Sequence, residues 1–158
     1  MNNFRYFVAL ILFAVSCVGQ EPGNTTGDRA SLERTTQAIR DAFARGDVAA
    51  VVALHHPDVV KYFGGANVVS GRAALETGLI QMFRNSKMEF LENRVESTMF
   101  NGETAIETSI FTIKVSGKDG DKSTLSRGRA MVVYVRYKGS PTGWASIREM
   151  AQAAPDEK

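Results

Sequence analysis

The chain has a single cysteine, Cys17, so no disulfide can form within it and a cross-linked small scaffold is excluded. It lacks an excess of either charge: 19 basic against 17 acidic residues leave a formal charge of +2. With no dense Lys/Arg run and no aromatic-basic interleaving, the electrostatic footprint of a nucleic-acid partner is missing. It also lacks a long apolar run. The unbroken apolar stretch Phe7 to Val15 falls well short of the roughly 20 residues that span a bilayer as a helix. No internal repeat and no second composition regime appear, which leaves one domain in 158 residues, long enough for a real core.

What is present begins with a targeting pattern. Arg5 precedes the apolar run, and the small and polar residues Ser16-Cys17-Val18-Gly19 follow it, as in a secretory signal. The expected division is a signal peptide over 1–19, a flexible leader over 20–30, the folded domain over 31–153 and a polar tail over 154–158. Two fates for the signal stay open. Ala14-Val15-Ser16-Cys17 resembles a bacterial lipobox, which would make Cys17 a lipidated first residue, although Leu is usual where Ala14 stands. Ordinary cleavage after Ser16 or Gly19 would instead release a soluble protein. Either way the expectation is export, to a periplasm or beyond, with membrane contact only through such an anchor. Asn24-Thr25-Thr26 would be a glycosylation sequon only in a eukaryotic host.

Helical spacing opens the domain. Leu32, Thr36, Ile39 and Phe43 fall on one stripe, and Gly46 suits a left-handed helix end. Asp47 is placed to cap a second short helix carrying Val48, Val51, Val52 and Leu54, with His55 and His56 at its end and Pro57 closing it. Val59 to Phe63 reads as a short strand, broken by Gly64-Gly65, with Val68-Val69 as a second arm. Ser70 or Gly71 opens a third helix with Leu75, Leu79, Met82 and Phe83 on its stripe. From Lys87 the period becomes two. Met88 to Phe100, Thr104 to Val115, Ser123 to Lys138 and Trp144 to Gln152 read as four long strands. They are joined at Asn101-Gly102, Gly117 to Lys122, and Gly139 to Gly143. Helices segregated from a meander predict an α+β domain.

This order, with Ala42-Phe43-Ala44-Arg45-Gly46-Asp47, Ser70-Gly71-Arg72-Ala73-Ala74-Leu75 and Gly143-Trp144, resembles the nuclear transport factor 2-like superfamily. The similarity is strongest to its SnoaL-like branch, often labelled domain of unknown function 4440, and covers roughly Ala30 to Ala153. The resemblance implies a cone-shaped, cystatin-like fold: three N-terminal helices on a curled antiparallel sheet, with a pocket at the open end. It also implies homodimers through the sheet. Relatives run isomerase, cyclase or hydrolase-type acid-base chemistry, or serve as non-catalytic assembly domains. In ketosteroid isomerases the base would match Tyr62 and the oxyanion tyrosine would match Ile39. Neither expected group is present, which argues against that route.

The candidate ligand-binding residues are Tyr62, His55, Asp58, Glu107, Arg127, Arg129 and Trp144. Tyr62 could donate from the pocket wall or simply pack. His55 and His56 beside Asp58 could form an acid-base pair, but no third ligand at a convincing spacing suggests a metal site. Glu107 shares parity with Ala105, Phe111, Ile113 and Val115, the pattern of a half-buried acid with a raised pKa. Met131, Val133, Val135 and Tyr137 read as the core face of the third long strand, which would carry Arg127 and Arg129 to the cone mouth to meet an anion, the alternatives being that they snorkel to solvent or pair with Glu107 on the neighbouring strand. Arg148 and Glu149 must face opposite ways, and Trp144 reads as a core or rim anchor more than a stacking platform. Ala130, Val132 and Tyr134, with Ile106 and Ile110, would form an apolar outer face. No cofactor motif and no complete nucleophile or metal site can be assembled. The expected function is therefore an exported pocket for an apolar, carbonyl-bearing or anionic small molecule. The alternatives are an acid-base enzyme and an accessory or oligomerisation domain.

Overall fold

A computed structural model describes residues 26–118 and 123–155. In chain order they form helices α1 (Thr26–Arg45) and α2 (Val48–Ala53), strands β1 (His55–Tyr62) and β2 (Val68–Ser70), and helix α3 (Arg72–Asn85). Strands β3 (Ser86–Asn101), β4 (Thr104–Gly117), β5 (Ser123–Arg136) and β6 (Trp144–Ala153) follow. The strands make one six-stranded sheet in the order β2-β1-β6-β5-β4-β3, antiparallel at every step except the parallel β1–β6 pair. Register shifts at Phe90/Glu92 and Val95/Ser97 in β3, and beside Tyr134 in β5–β6, mark where bulges bend the sheet. The expected α+β class and the curled sheet under three helices are observed. The signal segment, Cys17, the leader up to residue 25, the turn at 119–122 and the tail at 156–158 lie outside the described residues.

Local chemistry explains most of the element ends. Gly46 adopts φ +67°, and the chain turns back as Gly46 N–H donates to Phe43 O at 3.0 Å and Asp47 N–H to Ala42 O at 2.9 Å. The Asp47 carboxylate then accepts from Ala50 N–H at 3.0 Å and caps α2. Leu75 and Leu79 of α3 pack with Ala42, Val51 and Val59 in a core between the helices and β1.

Several expectations need correction. Helix α1 opens at Thr26, inside the expected leader, where Ser31 Oγ donates to Asp28 O at 2.9 Å and Asp28 pairs with Arg136. His55 and His56 do not end a helix; they open β1, and Pro57 sits exposed where the β1–β6 register shifts between His55 and Val60. The β3–β4 turn is centred one residue later than the Asn-Gly pair suggests. Asn101 pairs with Thr104, and Gly102 alone takes positive φ, +55°, as in a turn with glycine at its first central position. The β5 parity is the reverse of the expected one. Ala130, Val132 and Tyr134 face the cone, while Arg129 and Met131 face outward and Arg127 pairs with Glu92 at the cavity's edge. Both parities of β5 are apolar from Met131 to Val135, so period two could not separate them. The acids that claim the arginines lie across the sheet on β3.

The narrow end of the cone is closed around Trp144, which is 0% exposed and packs with Leu32, Ala105, Tyr134 and Phe100. Its indole N–H donates to Ser31 Oγ at 2.9 Å, and the Arg136 guanidinium lies 4.2 Å from its ring centre. Thr35 adds a 2.7 Å hydroxyl contact to Thr142. Ser31→Ala would strand a buried donor, so urea denaturation should show a loss of about 1–2 kcal/mol. An unchanged midpoint would mean the indole N–H finds water or another partner.

Candidate functional site

The register stacks the concave side chains of four strands into rows. The deepest row, next to the closed end, runs Ala105, Tyr134, Ser146, His55 across β4, β5, β6 and β1. The next runs Glu107, Val132, Glu149, Lys61. Beyond it come Ser109, Ala130 and Ala151, then Phe111, Gly128 and Ala153. Helices α1 and α3 cover these rows with Ile39, Phe43, Leu79 and Met82 and enclose a cavity of about 500 Å³.

The two deep rows hold the cavity's buried ionisable cluster. Lys61, 5% exposed, donates from Nζ to Glu149 Oε2 at 2.6 Å. His55, 1% exposed, lies 2.7 Å from Val51 O through Nδ1. A carbonyl only accepts, so Nδ1 carries the proton and Nε2 keeps its lone pair. Burial, then the Lys61 and Arg72 charges, outweigh that bond and hold the imidazole pKa well below its ordinary value, so His55 is neutral.

Glu107 is the unusual member. It is 5% exposed, lines the cavity, and receives no hydrogen bond or close ion pair from the described residues. Burial raises its pKa, with Arg40 opposing and Glu33 assisting. One residue-pair away, burial and the Glu107 and Glu149 carboxylates push the Tyr134 hydroxyl well above the ordinary tyrosine value, so it remains a donor. Ser146 Oγ is buried without a hydrogen-bond partner in the described structure. The cavity thus presents an acid with a raised pKa, a phenol, a neutral imidazole and an ion pair.

Much of the remaining wall is apolar. Phe43, Phe90 and Phe111 meet edge to face, with centroids 6.1 Å and 6.3 Å apart. Phe111 lies across Gly128, where an added Cβ would come within 2.4 Å of its ring tip. Glycine there leaves room for the ring, and Ala130 and Ala151 keep the adjoining floor open.

Of the residues singled out from sequence, His55, Glu107 and Arg127 line the cavity and Trp144 belongs to the closed end. Tyr62 does not line it: it is 41% exposed on the other face of β1, and Lys61 points inward instead. A shift of one residue along a strand exchanges the faces. Asp58 is exposed beside His56, 3.8 Å from its ring, away from the cavity. Arg129 forms a fork with Glu96 at 2.9 and 3.0 Å on the outer face, and Arg127, which borders the cavity, pairs with Glu92 at 2.7 Å; neither pairs with Glu107. Glu149 is the inward member of the Arg148/Glu149 pair. Sequence reasoning missed Lys61, Tyr134, Ser146 and Arg40. The available signal for Lys61 was a lone cation inside the apolar run Val59 to Phe63, which needs a buried acid.

Similarity to known proteins agrees with this geometry. The SnoaL-like domain family matches residues 36–154. No curated protein sequence matches the chain. Among solved structures, a ketosteroid isomerase-like protein from Erwinia carotovora atroseptica aligns with a TM-score of 0.70 at 16% identity, over 84% of this chain and 100% of that one. A candidate dehydratase of the NTF2-like family from Streptomyces avermitilis aligns with 0.69 at 21% identity, over 82% and 98%. The CaMKII hub of S. rosetta aligns with 0.63 at 19% identity, over 79% and 95%. At these identities the likeness is one of fold, and that fold carries enzyme and assembly names alike. With the family match spanning most of the folded residues, the chain belongs to the SnoaL-like family.

Proposed function

We propose that the cone binds a small, mainly apolar molecule and receives its carbonyl or hydroxyl oxygen at Glu107 and Tyr134. The observation that carries this reading is Glu107, a buried carboxyl with a raised pKa and no hydrogen-bond or ion-pair partner among the described residues, facing a mainly apolar cavity of about 500 Å³. A buried acid is costly unless something satisfies it, and a ligand oxygen would do so. The apolar body of the ligand would lie along Ala130, Ala151 and Phe111.

A second reading, acid-base catalysis, is favoured by the pairing of that acid with acceptors in the same rows. Glu107 and Tyr134 would polarise or protonate an oxygen, while His55 Nε2 or Glu149 would take a proton from carbon. The isomerase-like and dehydratase names of two structural relatives are consistent with it. An assembly role is supported by the hub relative and by the outer face, where Met99, Met131 and Met150 are 61%, 46% and 57% exposed. A homodimer through that face, and export by the N-terminal segment, belong to the same proposal.

The test is a thermal-shift screen of the purified chain against apolar ketones, alcohols and their oxygen-free hydrocarbons. A ligand at a hundred times its Kd stabilises by about 2.7 kcal/mol, roughly 5–10 °C for a chain of this size. A shift from ketones or alcohols that the hydrocarbons do not reproduce is expected. No shift from any of them defeats the proposal.

A further inference from the structure

The cone has a second way out. Thr36 and Arg40 of α1 and Asn93 of β3 line the cavity, and the same three residues line an open groove between α1 and β3. These three residues border both spaces. The groove continues over Ala30, Glu33, Arg34, Gln37 and Val95, beside the register shift of β3 at Val95/Ser97.

The charge at this gap is unbalanced. Arg40 donates from Nη2 to the neutral Gln37 Oε1 at 2.6 Å, and Gln37 Nε2 bonds Asp41 at 2.7 Å. Neither Arg40 nor Arg34 has a carboxylate within ion-pair distance among the described residues, whereas Arg127, Arg129 and Arg136 each do. Glu33 borders the groove too, but it lies seven residues from Arg40, about 10 Å along the helix. Arg40 is therefore a half-buried guanidinium that opens on one side to the apolar cavity and on the other to a groove with a second cation. A planar fork of donors in such a place is suited to two oxygens in one plane.

We propose that the cavity ligand is an apolar carboxylic acid whose carboxylate passes out through this gap and is held by Arg40, with Arg34 as the second cation. This rests on the cavity reading above and adds the ligand's charge and its direction. Glu107 lies on the same side, since Arg40 and Glu33 are the charges it senses most. The bound acid would thus run its apolar body through the cavity past Glu107 and set its charged end in the groove.

Fluorescence titration with cis-parinaric acid and its methyl ester at pH 8 tests the idea on the intact chain. The acid should bind about tenfold tighter than the ester. Arg40→Gln should bring the ratio close to one while leaving ester affinity within about twofold, and Arg40→Lys should fall between, because it keeps the charge without the fork. The double variant Arg34→Gln/Arg40→Gln should show no preference, and circular dichroism confirms that each variant is folded. Equal binding of acid and ester by the parent overturns this inference alone, as does a preference that survives the double substitution. Failure of both compounds to bind overturns it together with the cavity reading.

Discussion

Lys61→Met should be the most destabilising single change at the site, costing about 3 kcal/mol, or some 6–12 °C in Tm. The pair it breaks is buried: Lys61 and Glu149 side chains are 6% and 19% exposed and meet at 2.6 Å. Removing the ammonium leaves the Glu149 carboxylate in the wall of an apolar cavity with no counter-charge in its row. Its partial exposure holds the expected cost to the lower end of the range for buried pairs. The companion variant Lys61→Met/Glu149→Leu should recover to within about 1 kcal/mol of the parent, because an apolar pair of similar volume needs no desolvation compensation. Urea denaturation of the parent, both singles and the double completes the cycle. If the single variant costs under about 1 kcal/mol, water reaches the pair and the row is not a sealed wall.

Glu107→Gln should do the opposite above neutrality and raise stability. Burial lifts the folded-state pKa of Glu107 above its ordinary 4.5. A carboxyl with that shift holds more protons folded than unfolded, so its contribution is fully present below the unfolded value and is lost as pH rises through the folded one. The amide has no such dependence. The Tm curves of parent and variant should therefore run together near pH 4 and separate as pH rises. By pH 8 the variant should be ahead by on the order of 1 kcal/mol, about 3 °C. Parallel curves across pH 4–8 would show that Glu107 ionises freely and is solvated. The same variant should bind ketones more weakly, the exchange of stability for function expected where an uncompensated group is kept for its ligand.

The architecture was largely legible in the sequence because its signals are redundant. The Gly46-Asp47 step, the α3 stripe of Leu75 and Leu79 and the period-two strands each point to one arrangement. Glu107 was legible for the same reason: β4 alternates cleanly, with Ile106, Thr108 and Ile110 on the other face. Where both faces are apolar the alternation carries no phase. In β5 that hid Tyr134 and sent Arg129 to the wrong side. In β1 the run Val59 to Phe63 allowed Tyr62 inward as readily as Lys61, and only Glu149, 88 residues on, decides between them. His55 was displaced from helix end to strand start because Leu54, not Pro57, is where α2 stops. Arg40 depended on the α1–β3 gap, which helical spacing does not encode.

The parallel β1–β6 pair has a consequence in time. Strands β3 to β6 join by successive turns and can zip together through local contacts, whereas β1 closes onto β6 only across the whole intervening chain. That closure carries the largest loop entropy in the sheet and needs the last strand to exist. His55 and Lys61 thus meet Ser146 and Glu149 late, and the polar end of the cavity is assembled at the final step of folding. A chain caught short of that step would have its meander formed and its lysine still in water.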